Sequence, residues 1–167
     1  MGCRGVHFAL SEAEVEHLRT LPSDRERLDY VIEDLEVAYF SDHKEYMAES
    51  DKAWDAMHRA LSDGELTWDG GAYPLNHAVL AGELLYSEPD YIMSLKAPEQ
   101  VRDIANALLD LDEQAFKRRY FAIDPEDYGG PVDDEDFAYT WDWFQNIRRL
   151  YTKAAAENRF VLFTSDQ

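Results

Sequence analysis

The chain has a single cysteine in 167 residues, Cys3. One thiol cannot form a disulfide within the chain, and it cannot supply a zinc site built from several cysteines. This scarcity fits a reducing compartment, so we expect a soluble protein of the cytoplasm. The first residues also lack the apolar core of a secretion signal, and Val6 stands where a myristoylation pattern needs serine or threonine.

Basic residues are scarce as well. The chain has 16 Lys and Arg against 35 Asp and Glu, which gives a formal net charge of −19. Such a chain repels the phosphates of nucleic acids and the anionic headgroups of lipids, so we expect neither nucleic acid nor membrane as a partner. No apolar run approaches the ~20 residues of a membrane-spanning helix. A basic protein partner, mimicry of DNA and plain solubility all fit the charge, and solubility is the commonest of these reasons.

Core-forming residues, in contrast, are plentiful: 46% of the chain is hydrophobic and 13% is aromatic. This composition supports a packed globule, and no repeat or linker-like change of composition divides it. We therefore expect residues 1–167 to form a single domain, as a monomer or a weak homodimer. Alternating apolar residues predict a strand from Cys3 to Leu10, and the run Phe160–Phe163 predicts another. Pairing of these two strands would tie both ends of the chain to one sheet.

Helical spacing of apolar residues predicts several amphipathic helices between the two strands. Their starts are marked by capping residues or by proline at Ser11, Ser23, Ser50, Pro98, Asp112 and Asp134. The second helix shows one apolar stripe, formed by Leu28, Val31, Ile32, Leu35 and Tyr39. We expect loops over 41–49 and over the acidic stretch 124–136, which lacks the spacing of a calcium-binding loop. The expected fold class is α+β, with several amphipathic helices packed on a small, mostly antiparallel sheet that includes the N- and C-terminal strands.

The segment 49–61, ESDKAWDAMHRAL, concentrates the residues that could carry chemistry. If its helix begins at Ser50, helical geometry places Trp54 on an apolar stripe and His58 at the border of that stripe. Asp51 and Asp55 then lie beside the histidine. One imidazole nitrogen could face a carboxylate, while the other faces a cleft or a backbone carbonyl. Asp55 and His58 could also offer two ligands to a metal ion, which leaves any such site incomplete.

The same residues have structural explanations, which we consider more probable than a functional site. An aspartate at position 51 favours the start of a helix through the helix dipole. Asp55 precedes Arg59 by four residues, the favourable order for an ion pair on a helix. His77, the other candidate, is a lone histidine in an apolar neighbourhood. The candidate ligand-binding residues are therefore Asp51, Trp54, Asp55, His58 and His77, and neither a catalytic residue nor a metal set nor a cofactor is predicted.

Two functional hypotheses follow, because the sequence has no nucleotide-binding, hydrolase or metalloprotease motif. The first is a non-enzymatic protein-binding or regulatory domain that meets a basic protein through its acidic surface. An immunity protein that neutralises a toxin is one version of it. The alternative is an enzyme that binds a small ligand or a metal, with a pocket around Trp54, His58 and His77.

Several blocks, taken in order, resemble one family over nearly the whole chain: MGCRGVHFAL, DKAWDAMH, PLNHAVLAGE, the PEQV helix start and RFVLFT. The chain is similar to the YfbM-like family (domain of unknown function 1877), and DKAWDAMH is the most specific block. The resemblance implies a small bacterial α+β protein of a single domain and of unknown biochemical function, with no catalytic residues to carry over. The chain departs from the family pattern at Ala81 and at Ala97, and the second change removes a side-chain cap from a helix start.

Overall fold

Five strands form the sheet of the computed structural model, which describes residues 3–167. They are β1 (Gly5–Leu10), β2 (Met47–Asp51), β3 (Glu83–Leu84), β4 (Tyr91–Lys96) and β5 (Phe160–Asp166). Their order is β2-β1-β5-β4-β3, and every neighbouring pair is antiparallel. The predicted pairing of the two terminal strands is confirmed, since β1 and β5 run side by side from Gly5 opposite Ser165 to Leu10 opposite Phe160.

The helices cover both faces of this sheet, which confirms the α+β class. They are α1 (Glu12–Thr20), α2 (Asp24–Asp29), α3 (Val37–Asp42), α4 (Trp54–Leu61), α5 (Pro98–Asp110), α6 (Glu113–Phe121), α7 (Pro125–Tyr128) and α8 (Asp134–Ala156). A π-helical segment, Tyr30–Glu36, joins α2 to α3, and short 3₁₀ helices span Lys44–Tyr46 and Leu75–His77. Within residues 3–167, no helix has the length and hydrophobicity needed to cross a bilayer.

Two hydrophobic cores lie on opposite sides of the sheet because successive strand residues point to opposite faces. Phe8 and Leu162 belong to the core shared with α1, the π-helical segment and α3. Ala9, Val161 and Phe163 belong to the core shared with α4, α5, α6 and α8. The central strands are therefore buried on both faces and form the middle layer of the molecule.

The second predicted helix is continuous, but its central turns are wider than those of an α-helix. Val31, Leu35 and Tyr39 repeat every four residues and are buried against the sheet. Ile32, which a 3.6-residue period places on the same stripe, is 41% exposed. A π-helix has more residues in each turn than an α-helix. The buried positions therefore repeat every four residues, and the side chain of Ile32 faces outward.

The predicted loop over 41–49 and the predicted helix start at Ser50 are wrong. The chain passes from α3 through a 3₁₀ turn into strand β2, and Ser50 lies within that strand and donates a hydrogen bond to the Gly5 carbonyl at 3.1 Å. Asp51 ends the strand with a positive φ of 47°. Helix α4 begins only at Trp54, with no side-chain cap. The segment MAESD alternates too weakly to predict a strand, and pairing with β1 decides its structure.

Other predicted elements are close to those observed. The short strand expected at Tyr91–Met93 is present and extends to Lys96. The helix at Pro98 keeps half of its capping arrangement, because the Gln100 side chain accepts the Ala97 N–H at 2.9 Å. The acidic stretch 124–136, expected to be a loop, contains the single turn α7.

The close approach at Gly5 gives a test of this packing. A Cβ atom there would lie 2.6 Å from Ser50 Oγ, 2.8 Å from Trp54 Cδ1 and 2.9 Å from Phe163 Cε2. We expect Gly5→Ala to lower the free energy of unfolding by about 1–3 kcal/mol, measured by urea denaturation, because these neighbours must move apart. Gly130→Ala is the control, because its Cβ would meet Tyr128 at an ordinary 3.5 Å. Equal stability of the two variants would contradict the packing described.

Candidate functional site

Helix α4 carries the apolar stripe predicted for it. Trp54, Met57 and Leu61 are all buried. The Trp54 indole N–H donates to the Cys3 carbonyl at 2.7 Å, and its ring packs 5.6 Å from that of Phe163. Its polar atom therefore holds the helix to the segment before β1, and its ring holds the helix against β5.

The two candidate aspartates have partners other than histidine. Asp51 accepts a hydrogen bond from the Tyr139 hydroxyl at 2.6 Å and forms an ion pair with Arg4 at 3.5 Å. Asp55 accepts the Arg59 Nε–H at 2.6 Å, so the predicted pair between these two residues is confirmed. Asp51 is thus bound to α8 and to the residue before β1, whereas Asp55 is bound within its own helix.

His58 is fully buried and faces a backbone carbonyl. Its Nε2 lies 2.8 Å from the Thr67 oxygen. A carbonyl can only accept, so this nitrogen carries the proton and donates it. Nδ1 has no hydrogen-bond partner among the described residues. Burial lowers the pKa of His58 to about 4, so the ring is neutral at pH 7. One nitrogen therefore faces a backbone carbonyl, as expected, but the carboxylate expected at the other nitrogen is absent among the described residues.

His77, half-buried in the 3₁₀ turn before β3, has its own partners. Its Nδ1 lies 2.7 Å from the Asn76 side-chain oxygen, and its ring meets that of Tyr73 edge to face at 4.9 Å. No hydrogen bond joins His77 to His58 among the described residues. In that same part of the chain, no group of three or more His, Cys, Asp and Glu side chains is placed to hold a metal ion. Ligand binding by these residues stays a prediction.

Lys96, at the end of β4, is a buried polar residue that the sequence analysis missed. Its exposed fraction is 0%. Its Nζ donates to the Val79 carbonyl and to Ser94 Oγ, the latter at 3.1 Å, and it takes part in no ion pair among residues 3–167. Burial without a compensating carboxylate lowers the pKa of Lys96 well below its ordinary value of 10.5.

Two further buried side chains bind the same short segment of backbone. His7 Nε2 donates to the Ala78 carbonyl at 2.8 Å, and the Tyr151 hydroxyl donates to the same oxygen at 2.8 Å. Burial lowers the pKa of His7 to about 3 and raises that of Tyr151 far above 10. We call Lys96, His7 and Tyr151 the interior polar cluster. It ties β4, β1 and α8 to the carbonyls of Ala78 and Val79.

The interior polar cluster is not accessible for proton transfer to a substrate in solution. A neutral imidazole and a protonated phenol, both fully buried, cannot exchange protons with a dissolved substrate unless the core opens. Burial is the largest cause of the lowered pKa of His7, His58 and His77, and the positive charge of Lys96, whenever that amine is protonated, lowers each of them further. Together these groups support the protein interior and leave the surface to make outside contacts.

Arg59 on α4 joins two surface loops. Its guanidinium is 5% exposed and donates to Asp127 Oδ2 at 2.5 Å and to the Gly64 carbonyl at 3.3 Å, besides its bond to Asp55. Burial alone would lower the pKa of Arg59, but the hydrogen bonds that it donates to Asp55 and Asp127 raise it. Asp127 belongs to the acidic stretch 124–136, and Gly64 belongs to the loop 62–72 after α4. One buried cation therefore fixes these two loops against each other.

These two loops carry only negative charge. They contain no Lys or Arg. Their exposed carboxylates are those of Asp63, Glu65, Asp69, Asp124, Glu126, Asp127, Asp133, Asp134 and Glu135. Lys117 approaches Asp134 at 3.3 Å from α6. We call the exposed carboxylates of 62–72 and 124–136 the acidic loop surface.

Comparison with known proteins identifies a family and a fold. The model of the domain of unknown function DUF1877 matches residues 1–164. The crystal structure of YfbM from Escherichia coli, described as a protein of unknown function, is similar in fold, with a TM-score of 0.67 at 18% sequence identity. The match covers 97% of this chain and 99% of that one. No curated protein matches the chain.

The buried state of His58 gives a pH-dependent prediction. Below pH 6.5 the unfolded chain takes up a proton at this residue, whereas the folded chain does so only near pH 4. Stability is therefore lost as the pH falls through this window. We expect His58→Gln to make the loss shallower, by up to about 1.4 kcal/mol per pH unit, in urea denaturation between pH 6.5 and 4. The same substitution at His43, whose side chain is exposed, is the control. Identical slopes for the two variants would contradict a neutral, buried His58.

Proposed function

Because the chain belongs to the DUF1877 family, whose description names no activity, we propose a function from the geometry: a non-enzymatic domain that binds a basic protein partner. The observation that carries the proposal is the bridge made by Arg59, which holds two loops without basic residues against each other. If the two loops moved independently, their carboxylates would have no fixed positions relative to one another. Here a buried guanidinium fixes them as one acidic loop surface.

A fixed surface of one charge sign favours a partner of the opposite sign. Complementary charges raise the rate of association and select against like-charged competitors. The net charge of −19 adds a long-range field of the same sign. A small acidic protein that covers the basic surface of a toxin, as an immunity protein does, is one form of this function.

A role in binding also agrees with the fate of the side chains that could have carried catalysis. Trp54 and His58 are buried and hydrogen-bonded to backbone carbonyls. Asp55 is committed to Arg59. These bonds stabilise the helix that presents Arg59 to the loops, so the segment 49–61 supports the surface rather than a reaction.

A charge-neutralised variant tests the proposal. It replaces four carboxylates of the acidic loop surface by amides: Glu65→Gln, Asp69→Asn, Glu126→Gln and Glu135→Gln. The matched control neutralises four exposed carboxylates elsewhere, which make no ion pair with any residue of 3–167: Glu12→Gln, Glu16→Gln, Glu33→Gln and Glu88→Gln. Both variants carry a net charge four units less negative than −19, so they differ only in where the charge is lost.

Each protein is immobilised and exposed to host-cell lysate at about 0.01 M and about 0.15 M salt, where the Debye length is about 30 Å and about 8 Å. We expect a basic protein to be captured by the wild type and by the control, and at least tenfold less of it by the variant. Mass spectrometry identifies and quantifies the captured protein. Absence of a partner at both salt concentrations, or equal capture by all three proteins, would contradict the proposal.

A further inference from the structure

Strand β2 forms one edge of the sheet, and its outer side adjoins a groove. β2 pairs with β1 on one side only. The Glu49 carbonyl faces away from β1, where the Asn146 side-chain N–H reaches it at a long 3.4 Å. An edge strand of this kind presents backbone donors and acceptors to any extended chain laid beside it.

Four cavities adjoin one another here: three lie along the edge, and the one of about 330 Å³ extends from Glu49 across the face of the sheet to Tyr91. The one of about 330 Å³ shares Phe40 and Glu49 with one of about 220 Å³. A second cavity of about 220 Å³ is also lined by Glu49, and it shares Trp143 with the first cavity of that volume. The fourth, of about 290 Å³, continues past Met47 and shares Arg149. We call this continuous depression the β2 groove.

Aromatic side chains form the two walls of the β2 groove. Phe40 on α3 is 38% exposed on one side. Trp143 on α8 lies partly exposed on the other side. A strand laid between them would place alternate side chains against Phe40 and against Trp143, because successive strand residues point to opposite faces.

The end of the β2 groove near the start of β2 is cationic. Lys44, Arg149 and Lys153 line it, together with Glu45. Lys153 pairs with Glu157 at 3.4 Å, but neither Lys44 nor Arg149 forms an ion pair with a described carboxylate. Both side chains are exposed. They leave a place for a carboxylate from outside.

The other end of the β2 groove is anionic. Glu49 and Asp51 line it, with Arg4 at the rim. Carboxylates that repel one another favour a cation bound between them.

We infer that the β2 groove binds an extended peptide segment of a partner protein, which pairs with β2 as a sixth strand. Strand addition to a free edge is a recurring mode of peptide recognition, with backbone bonds for affinity and side-chain pockets for specificity. All neighbours in this sheet are antiparallel, so the added strand runs from the anionic end to the cationic end. Its basic residue therefore lies near its N-terminus and its acidic residue near its C-terminus.

This site is separate from the acidic loop surface, so each proposal can fail without the other. β2 spans five residues, or about 16 Å at roughly 3.3 Å per residue, and a heptapeptide places one charge beyond each end. The probes are two capped peptides, KTVTVTE and its reverse ETVTVTK, which have the same composition and net charge. Each is titrated into the ¹⁵N-labelled protein, and binding is followed by amide chemical shifts.

We expect KTVTVTE to bind about tenfold more tightly than ETVTVTK and to shift the amides of Met47–Asp51. Methylation of alternate backbone nitrogens of the peptide should lower its affinity at least tenfold, because its backbone hydrogen bonds to β2 are lost. Lys44→Glu with Arg149→Glu should abolish the preference between the two peptides. The matched charge reversal Arg25→Glu with Arg118→Glu, on exposed residues away from the groove, should preserve it.

Several results would overturn the inference. They are equal affinity of the two peptides, shifts confined to residues outside the β2 groove, and no effect of N-methylation. Absence of any amide chemical-shift change at about 1 mM peptide would also overturn the inference, because the binding free energy would then be weaker than about −4.1 kcal/mol. Self-association of the chain through β2 would also overturn it, because a second copy of the chain would then be the occupant of the groove. It would be seen as concentration-dependent sedimentation and as amide shifts without peptide. The variant with a neutralised acidic loop surface should bind KTVTVTE as the wild type does.

Discussion

The fold depends on a buried contact between side chains and backbone: Lys96, His7 and Tyr151 donate hydrogen bonds to two successive carbonyls, those of Ala78 and Val79. Each donor comes from a different element, and the segment that they hold has little regular structure of its own. Buried carbonyls without partners are costly, and so are buried amines and imidazoles. The contact satisfies both kinds of group at once, so the chain between α4 and β4 can cross the protein interior.

This arrangement explains why the functional candidates lie at the surface. Acid–base groups near the interior polar cluster are buried and have their ordinary pKa values displaced toward the neutral form, as His58 shows. Charged groups that remain ionised are placed outside, and Arg59 organises two loops of them. The β2 groove lies at the edge of the sheet and is lined by Lys44 and Arg149, two cations without an ion pair to a described carboxylate. The acidic loop surface and the groove thus offer different chemistry to a partner.

Prediction from the sequence succeeded where a local pattern controls the structure. The stripe of Trp54, Met57 and Leu61 and the pairing of the terminal strands were predicted because hydrophobic spacing alone specifies them. Strand β2 was missed because pairing with β1, a non-local contact, overrides a polar sequence. The exposure of Ile32 was missed because nothing in its neighbourhood distinguishes a π-helix from an α-helix.

In the candidate site, too, local contacts could be predicted from the sequence and non-local contacts could not. Asp55 with Arg59 follows from a spacing of four residues, and the structure has that pair. The burial of Lys96 could not be predicted, since a lysine at the end of a short strand is ordinarily exposed. One of its partners is the Val79 carbonyl, 17 residues away in the chain, and a sequence pattern carries no information about such a contact. The groove depends likewise on α3, β2 and α8 meeting in space.

The protonation of Lys96 tests the central claim most directly, which is that the interior polar cluster is dry and structural. Selective ¹⁵N and ¹³C labelling of lysine allows its side-chain signal to be followed through a pH titration of the folded protein. The account predicts a midpoint well below 10.5, because burial without a carboxylate disfavours the charged amine. A midpoint at the ordinary value of about 10.4 would contradict it, since the amine would then be hydrated and the interior open to solvent.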